Sequence, residues 1–74
     1  MNRLPNLTAT KIVRALERAG FVEVEQKGSH RTFINFTTGF GTTVSIHSGD
    51  IKRSLMKEII RQAGLSEDEF RKYL

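Results

Sequence analysis

The spacing of apolar residues changes twice along this chain, and that change limits the possible folds more than any other feature. Up to residue 20 apolar side chains recur at helical spacing, between residues 21 and 46 they alternate as in strands, and beyond residue 50 helical spacing returns. A chain of 74 residues has room for one hydrophobic core. We therefore predict a single α+β domain, residues 1–74, with element order α-β-β-β-α, a three-stranded antiparallel sheet covered by helices on one face, and a short C-terminal helix.

The predicted helices have recognisable ends. Either Thr8 or Thr10 is a suitable N-cap for the first helix, and Gly20 is suited to the left-handed position that ends it. A second helix is predicted from about residue 54 to residue 63, and Ser66 with Glu69 forms a capping box that opens a third. The predicted inward-facing residues of the first two helices are Ile12, Val13, Leu16, Ala19, Leu55, Met56, Ile59, Ile60 and Ala63.

Alternation assigns the predicted strands their faces. The first strand places Val22 and Val24 on one face and Glu23 and Glu25 on the other. For the second strand, predicted over residues 31–36, the helix-covered face is expected to hold Thr32, Ile34 and Phe36, and the open face Arg31, Phe33 and Asn35. The same alternation puts His30 in phase with the helix-covered face, unless it lies at the edge of the sheet or after a twist. The third strand, over residues 42–46, directs Val44 and Ile46 inward.

Composition narrows the possible partners and compartments. Twelve Lys and Arg against eight Asp and Glu give a net charge of +4, which favours polyanionic partners such as nucleic acid. The chain has no cysteine, which excludes disulfides and thiolate chemistry and suits a reducing compartment. It also shows neither the apolar region of a signal peptide nor a membrane-spanning run. We expect a cytoplasmic protein without a membrane partner.

Two histidines are the side chains suited to proton transfer near neutral pH. His30 follows Lys27, Gly28 and Ser29 and precedes Arg31, so a phosphate at this turn would meet an imidazole, a hydroxyl, backbone N–H groups and two cations. The same residues also suit an ordinary polar hairpin turn, and both interpretations stay open at this point.

His47 is a secondary candidate. Strand parity with Thr43 and Ser45 directs it to the open face, where it is either a contact for RNA or an ordinary exposed histidine. Two histidines without cysteine form no recognisable set of metal ligands, so we predict no metal site and no cofactor.

The second predicted helix carries a basic face opposite its apolar stripe. Four cations recur there at or near helical spacing: Lys52, Arg53, Lys57 and Arg61. They either follow the phosphates of RNA or form a solvated helix surface.

Four segments together make the chain resemble the HicA-type toxins, the small RNA-cleaving partners of HicB antitoxins, over nearly its whole length. The most specific segment is the turn Gln26-Lys27-Gly28-Ser29-His30. The others are Leu16-Glu17-Arg18-Ala19-Gly20-Phe21, Val44-Ser45-Ile46-His47, and Ile59 to Ser66 followed by Glu69-Phe70.

The resemblance implies a fold like that of double-stranded-RNA-binding domains and metal-independent, ribosome-independent cleavage of mRNA, with His30 as the catalytic histidine. It implies a HicB-like antitoxin as partner, and contact with DNA only through that antitoxin. Two other functions remain open: a non-catalytic RNA-binding module of the same fold, and, with less support, a DNA-binding regulator. The second is disfavoured because no helix-turn-helix spacing is evident.

Overall fold

A computed structural model describes residues 4–74 and shows three helices and one three-stranded sheet. The elements in chain order are α1 (Ala9–Arg18), β1 (Val22–Lys27), β2 (His30–Ile34), β3 (Gly41–Ser45), α2 (Arg53–Gln62) and α3 (Glu67–Arg71). The sheet is antiparallel with strand order β1-β2-β3. This α+β architecture, with its additional C-terminal helix, confirms the predicted fold class.

The core lies between the helices and one face of the sheet. Its largest fully buried side chains come from the N-terminal segment, β2, β3 and all three helices: Leu4, Ile12, Leu16, Phe33, Val44, Met56, Ile59, Ile60 and Phe70. The N-terminal segment is tied to the chain before α2 because the Ile51 amide donates to the Leu7 carbonyl at 2.8 Å. One predicted core position of the helices is wrong: Leu55 remains 40% exposed.

The predicted helix ends are confirmed. Thr8, not Thr10, caps α1, and its hydroxyl accepts a hydrogen bond from the Lys11 amide at 3.3 Å. Gly20 has a φ of 104°, the left-handed region expected after this helix. Ser66 and Glu69 form both hydrogen bonds of the capping box of α3.

The predicted faces of β2 are wrong. Phe33 is fully buried beneath the helices, so the covered face holds Arg31 and Phe33 and the open face holds His30, Thr32 and Ile34. The sequence misled because Phe36 suggested an inward position, yet β2 ends at Ile34 and Phe36 lies in the following loop, 74% exposed.

The predicted faces of β1 are also wrong, because the strand contains a β-bulge. Glu23 pairs with Phe33 and Glu25 pairs with Thr32, which leaves Val24 as an extra residue between them. Glu23 therefore lies on the covered face and Glu25 on the open face, where strict alternation would have kept the two together.

Gly64, just after α2, leaves room for the ring of Phe40 from the β2–β3 loop. Its φ is 74°, and a Cβ at this position would lie 2.5 Å from the ring of Phe40. Only glycine satisfies both conditions, because the left-handed backbone costs other residues about 1–2 kcal/mol and the ring occupies the space of a side chain.

We expect Gly64→Ala to destabilise the protein by the backbone cost of about 1–2 kcal/mol and by a further amount for displacing the Phe40 ring, which is 49% exposed. Gly49→Ala is the matched control, since Gly49 has a φ of 83° and nothing within 4 Å of an added Cβ. Thermal unfolding checks this, at roughly 4–8 °C per kcal/mol. Equal losses in the two variants would show that the contact with Phe40 contributes nothing.

Candidate functional site

The open face of the sheet brings His30 between two polar neighbours. His30 pairs with Lys27 of β1 and with Ser45 of β3, and side chains of directly paired residues project from the same face. The hydroxyls of Thr32 and Thr43, 3.2 Å apart, share a hydrogen bond across the strands and fix this face as the one opposite the buried Phe33. The result is an exposed imidazole with a lysine on one side and a serine on the other.

His47 lies at the same end of the sheet. The ladder continues one residue beyond β3, because the Ile46 amide donates to the Ser29 carbonyl at 2.7 Å. His47 is exposed and follows Ile46, which packs against the core, so continued alternation would direct it to the open face, diagonal to His30. Such diagonal neighbours are roughly 7–8 Å apart. A scissile phosphodiester of RNA placed between them would be within reach of both imidazoles.

The turn between β1 and β2 completes this end of the face. Gly28 and Ser29 form the turn, and Lys27 precedes it with its ammonium group 3.8 Å from a Glu25 carboxylate oxygen. The Lys27 side chain is 81% exposed, so water screens this ion pair and the ammonium group remains accessible to another anion.

Arg31 is not part of this site, which corrects the prediction that it flanks a bound phosphate. It lies on the covered face, where its guanidinium donates to Glu23 with an Nε–Oε1 distance of 2.9 Å and lies 5.6 Å from the centre of the Phe33 ring. Hydrogen bonding between the two partners lowers the pKa of Glu23 and raises the pKa of Arg31. Arg31 therefore has a structural partner on the far side of the sheet from His30.

Within the described part of the chain, only two of the four cations predicted on the basic face of the second helix are free to bind a phosphate. Arg53 donates to the Leu4 carbonyl at 2.7 Å and to Asn6, so it fastens the N-terminal segment to α2. Arg61 forms an ion pair with Glu58, which lowers the pKa of that carboxyl. In residues 4–74, Lys52 and Lys57 have no ion pair and remain exposed.

A pocket on α1 was not predicted. It has a volume of about 330 Å³ and is lined by Pro5, Leu7, Lys11, Arg14, Arg18 and Leu74. The signal available in the sequence was the spacing of its three cations, which are three and four residues apart along one helix. The apolar lining could not be inferred, because it combines Pro5 and Leu7 with Leu74, which are far apart in the sequence.

The described residues contain neither a cluster of metal ligands nor a membrane-spanning helix. Between residues 4 and 74 no three His, Cys, Asp or Glu side chains cluster in a way that would hold a metal ion. Over the same residues, no helix combines the length and the apolar character needed to cross a bilayer.

Comparison with known families defines the class. Residues 9–65 match the family model described as the HicA toxin of bacterial toxin-antitoxin systems, and this segment includes all three strands, His30 and His47. The protein is thus a toxin of the toxin–antitoxin class. It belongs to the HicA toxin family, and membership implies an antitoxin partner. No curated protein sequence matches the chain closely enough to count as a relative.

Proposed function

We propose that this toxin is an endoribonuclease that cleaves mRNA in the cytoplasm without a metal ion and is inhibited by a HicB-like antitoxin. The observation that carries the proposal is the position of His30, exposed on the open face between Lys27 and Ser45, with a second exposed histidine, His47, two residues beyond Ser45. Membership in a toxin family supports it, because destruction of mRNA is a direct route to toxicity.

The chemistry requires two proton transfers. A base removes the proton of the ribose 2′-hydroxyl, the 2′-oxygen attacks phosphorus, and the bond from phosphorus to the 5′-oxygen breaks. An acid protonates the leaving 5′-oxygen, so the products are a 2′,3′-cyclic phosphate and a 5′-hydroxyl end. One histidine cannot serve as base and acid in the same step, and His30 therefore needs a partner.

We assign the second proton transfer to His47, the other imidazole at this end of the sheet. Lys27 stabilises the negative charge that develops on the phosphate oxygens, and the backbone N–H groups around Gly28 and Ser29 bind the same phosphate. Lys52 and Lys57 of α2 remain candidates for contacts with more distant phosphates. In this arrangement the protein itself provides the base, the acid and the countercharge.

The alternative is a non-catalytic RNA-binding module that uses the same face to hold RNA. Incubation of the purified protein with a labelled single-stranded RNA in EDTA separates the two functions. We expect cleavage to continue in EDTA and to leave a cyclic phosphate. Binding without cleavage would establish the module instead, and cleavage that requires a divalent metal would overturn the two-histidine mechanism.

A HicB-like antitoxin is expected to cover the turn that carries His30. Occlusion is the simplest inhibition of so small an enzyme, since an interface of ordinary size buries about 800 Å² per partner and this molecule exposes 4828 Å² in all. The open face also presents Val22, 48% exposed, as an apolar contact. Hydrogen exchange of the complex should show slower exchange of the amides over residues 27–31.

The first turn of α3, residues 67–69, is the internal control for that measurement, because it lies in a different layer from the open face. Slower exchange there, with residues 27–31 unchanged, would place the antitoxin elsewhere and contradict inhibition by occlusion.

A further inference from the structure

The pocket on α1 has no part in the function proposed above. Lys11 and Arg14 are exposed on the outer side of the helix, while Ile12, Val13 and Leu16 of the same helix are buried against the core. The lining combines three cations with the apolar side chains of Pro5, Leu7 and Leu74, and contains no acidic residue. Its chemistry therefore suits a ligand that is anionic on one side and apolar on the other.

The cations of the pocket have no ion-pair partner in the described part of the protein. Between residues 4 and 74, neither Lys11 nor Arg14 nor Arg18 forms an ion pair. Arg18 donates from Nη1 to the Tyr73 carbonyl at 2.9 Å, which fixes its guanidinium at the edge of the pocket. On α2, by contrast, Arg53 and Arg61 are engaged in contacts within the protein.

We propose that this pocket is a second RNA-binding site, in which the α1 cations bind backbone phosphates and the apolar lining takes one unpaired base. A volume of about 330 Å³ lies at the small end of ligand pockets and suits one nucleotide. Duplex RNA keeps its bases stacked inside the helix, whereas a single strand exposes them to apolar surfaces. The ligand is therefore single-stranded RNA.

The location of the pocket sets a minimum length for RNA that uses both sites. The pocket lies on the helical layer, and the sheet separates it from the face that carries His30. The smallest dimension of the molecule is 17 Å, and a strand that uses both sites has to pass around the edge of the sheet, which is longer than that. Short substrates reach one site only, and longer substrates reach both. The choice of RNA as ligand rests on the proposed function.

The test measures binding without cleavage. The probe is a 20-nucleotide single-stranded 2′-O-methyl RNA, which lacks the attacking hydroxyl, titrated into ¹⁵N-labelled protein and followed by amide chemical shifts. We expect saturable shifts at Leu7, Lys11, Arg14 and Leu74. In parallel, fluorescence anisotropy gives affinity as a function of salt concentration.

The variant is the double substitution Lys11→Gln with Arg14→Gln. Removal of two phosphate contacts should make the slope of log affinity against log salt shallower by about 1.4, so that a fourfold rise in salt costs the variant about sevenfold less affinity than the wild type. The matched control, Lys11→Arg with Arg14→Lys, keeps the charge and should retain the wild-type slope.

An unchanged slope in the glutamine variant, or shifts confined to the open sheet face, would overturn the second site. Equal affinity and the same shifts with a 2′-O-methyl duplex would overturn the single-stranded ligand. Failure of the ribonuclease proposal gives a different result: unmodified RNA stays uncleaved, while binding of the 2′-O-methyl RNA at the pocket on α1 is unchanged.

Discussion

His30→Ala is expected to reduce RNA cleavage by about 10²- to 10⁴-fold, the usual contribution of a positioned acid or base. The folded state should survive, because the histidine is exposed and caps no helix. We expect a loss of less than about 1 kcal/mol in the free energy of unfolding. Initial rates on a fluorogenic RNA, together with thermal unfolding of the same preparations, measure both effects.

Thr43→Ala is the matched control for that experiment. Thr43 lies on the same open face, two cross-strand pairs further from the turn than His30, and its hydroxyl shares a hydrogen bond with Thr32. The Thr43→Ala variant should cleave RNA at a rate within a few-fold of the wild-type rate. A folded His30→Ala protein that cleaves as fast as the wild type would end the catalytic role of His30 and favour the binding module.

His47→Ala is expected to lose a similar 10²- to 10⁴-fold in cleavage of ordinary RNA, because a second proton transfer is needed in the same step. A substrate with sulfur in place of the 5′-bridging oxygen at the cleavage site distinguishes the two roles. A thiol is far more acidic than an alcohol, with a pKa of about 8.5 in cysteine, so the sulfur leaves without an acid. Only one of the two alanine variants should recover on this substrate, and that variant identifies the acid.

Two outcomes contradict the two-histidine mechanism. If His47→Ala cleaves ordinary RNA at the wild-type rate, His47 transfers no proton. If both variants or neither variant regain cleavage on the sulfur substrate, the two histidines do not act as one base and one acid.

Local signals predicted the helices well, and non-local contacts explain where the sheet was predicted wrongly. Thr8, Gly20 and the capping box of Ser66 act within a few residues of their own positions, so the sequence alone locates them. The face of a strand depends on where pairing begins and ends. Phe33 is buried and Phe36 exposed because β2 ends between them, which no periodicity within the strand reveals.

In the candidate site, too, local sequence signals predicted some residues correctly, and non-local contacts explain the errors. His30 and Lys27 were identified from the turn, and their pairing across β1 and β2 brings them together. Arg31 looked equivalent because it is adjacent to His30 in sequence, yet adjacent residues of a strand project from opposite faces. The pocket on α1 could not be predicted, because Leu7 and Leu74 meet only in the folded chain.

The extra residue in β1 decides on which side of the sheet a negative charge is found. The two-residue turn places Lys27 opposite His30, and regular pairing counted back from there would put Val24 opposite Phe33 on the covered face and Glu23 on the open face. The bulge at Val24 shifts the first half of the strand by one step, so Glu23 lies on the covered face and accepts a hydrogen bond from Arg31. The turn thus gives His30 its lysine, and the bulge gives Arg31 its carboxylate. A homologue that kept all six strand residues but paired them without the bulge would retain the cation beside its histidine and leave the arginine without its anion.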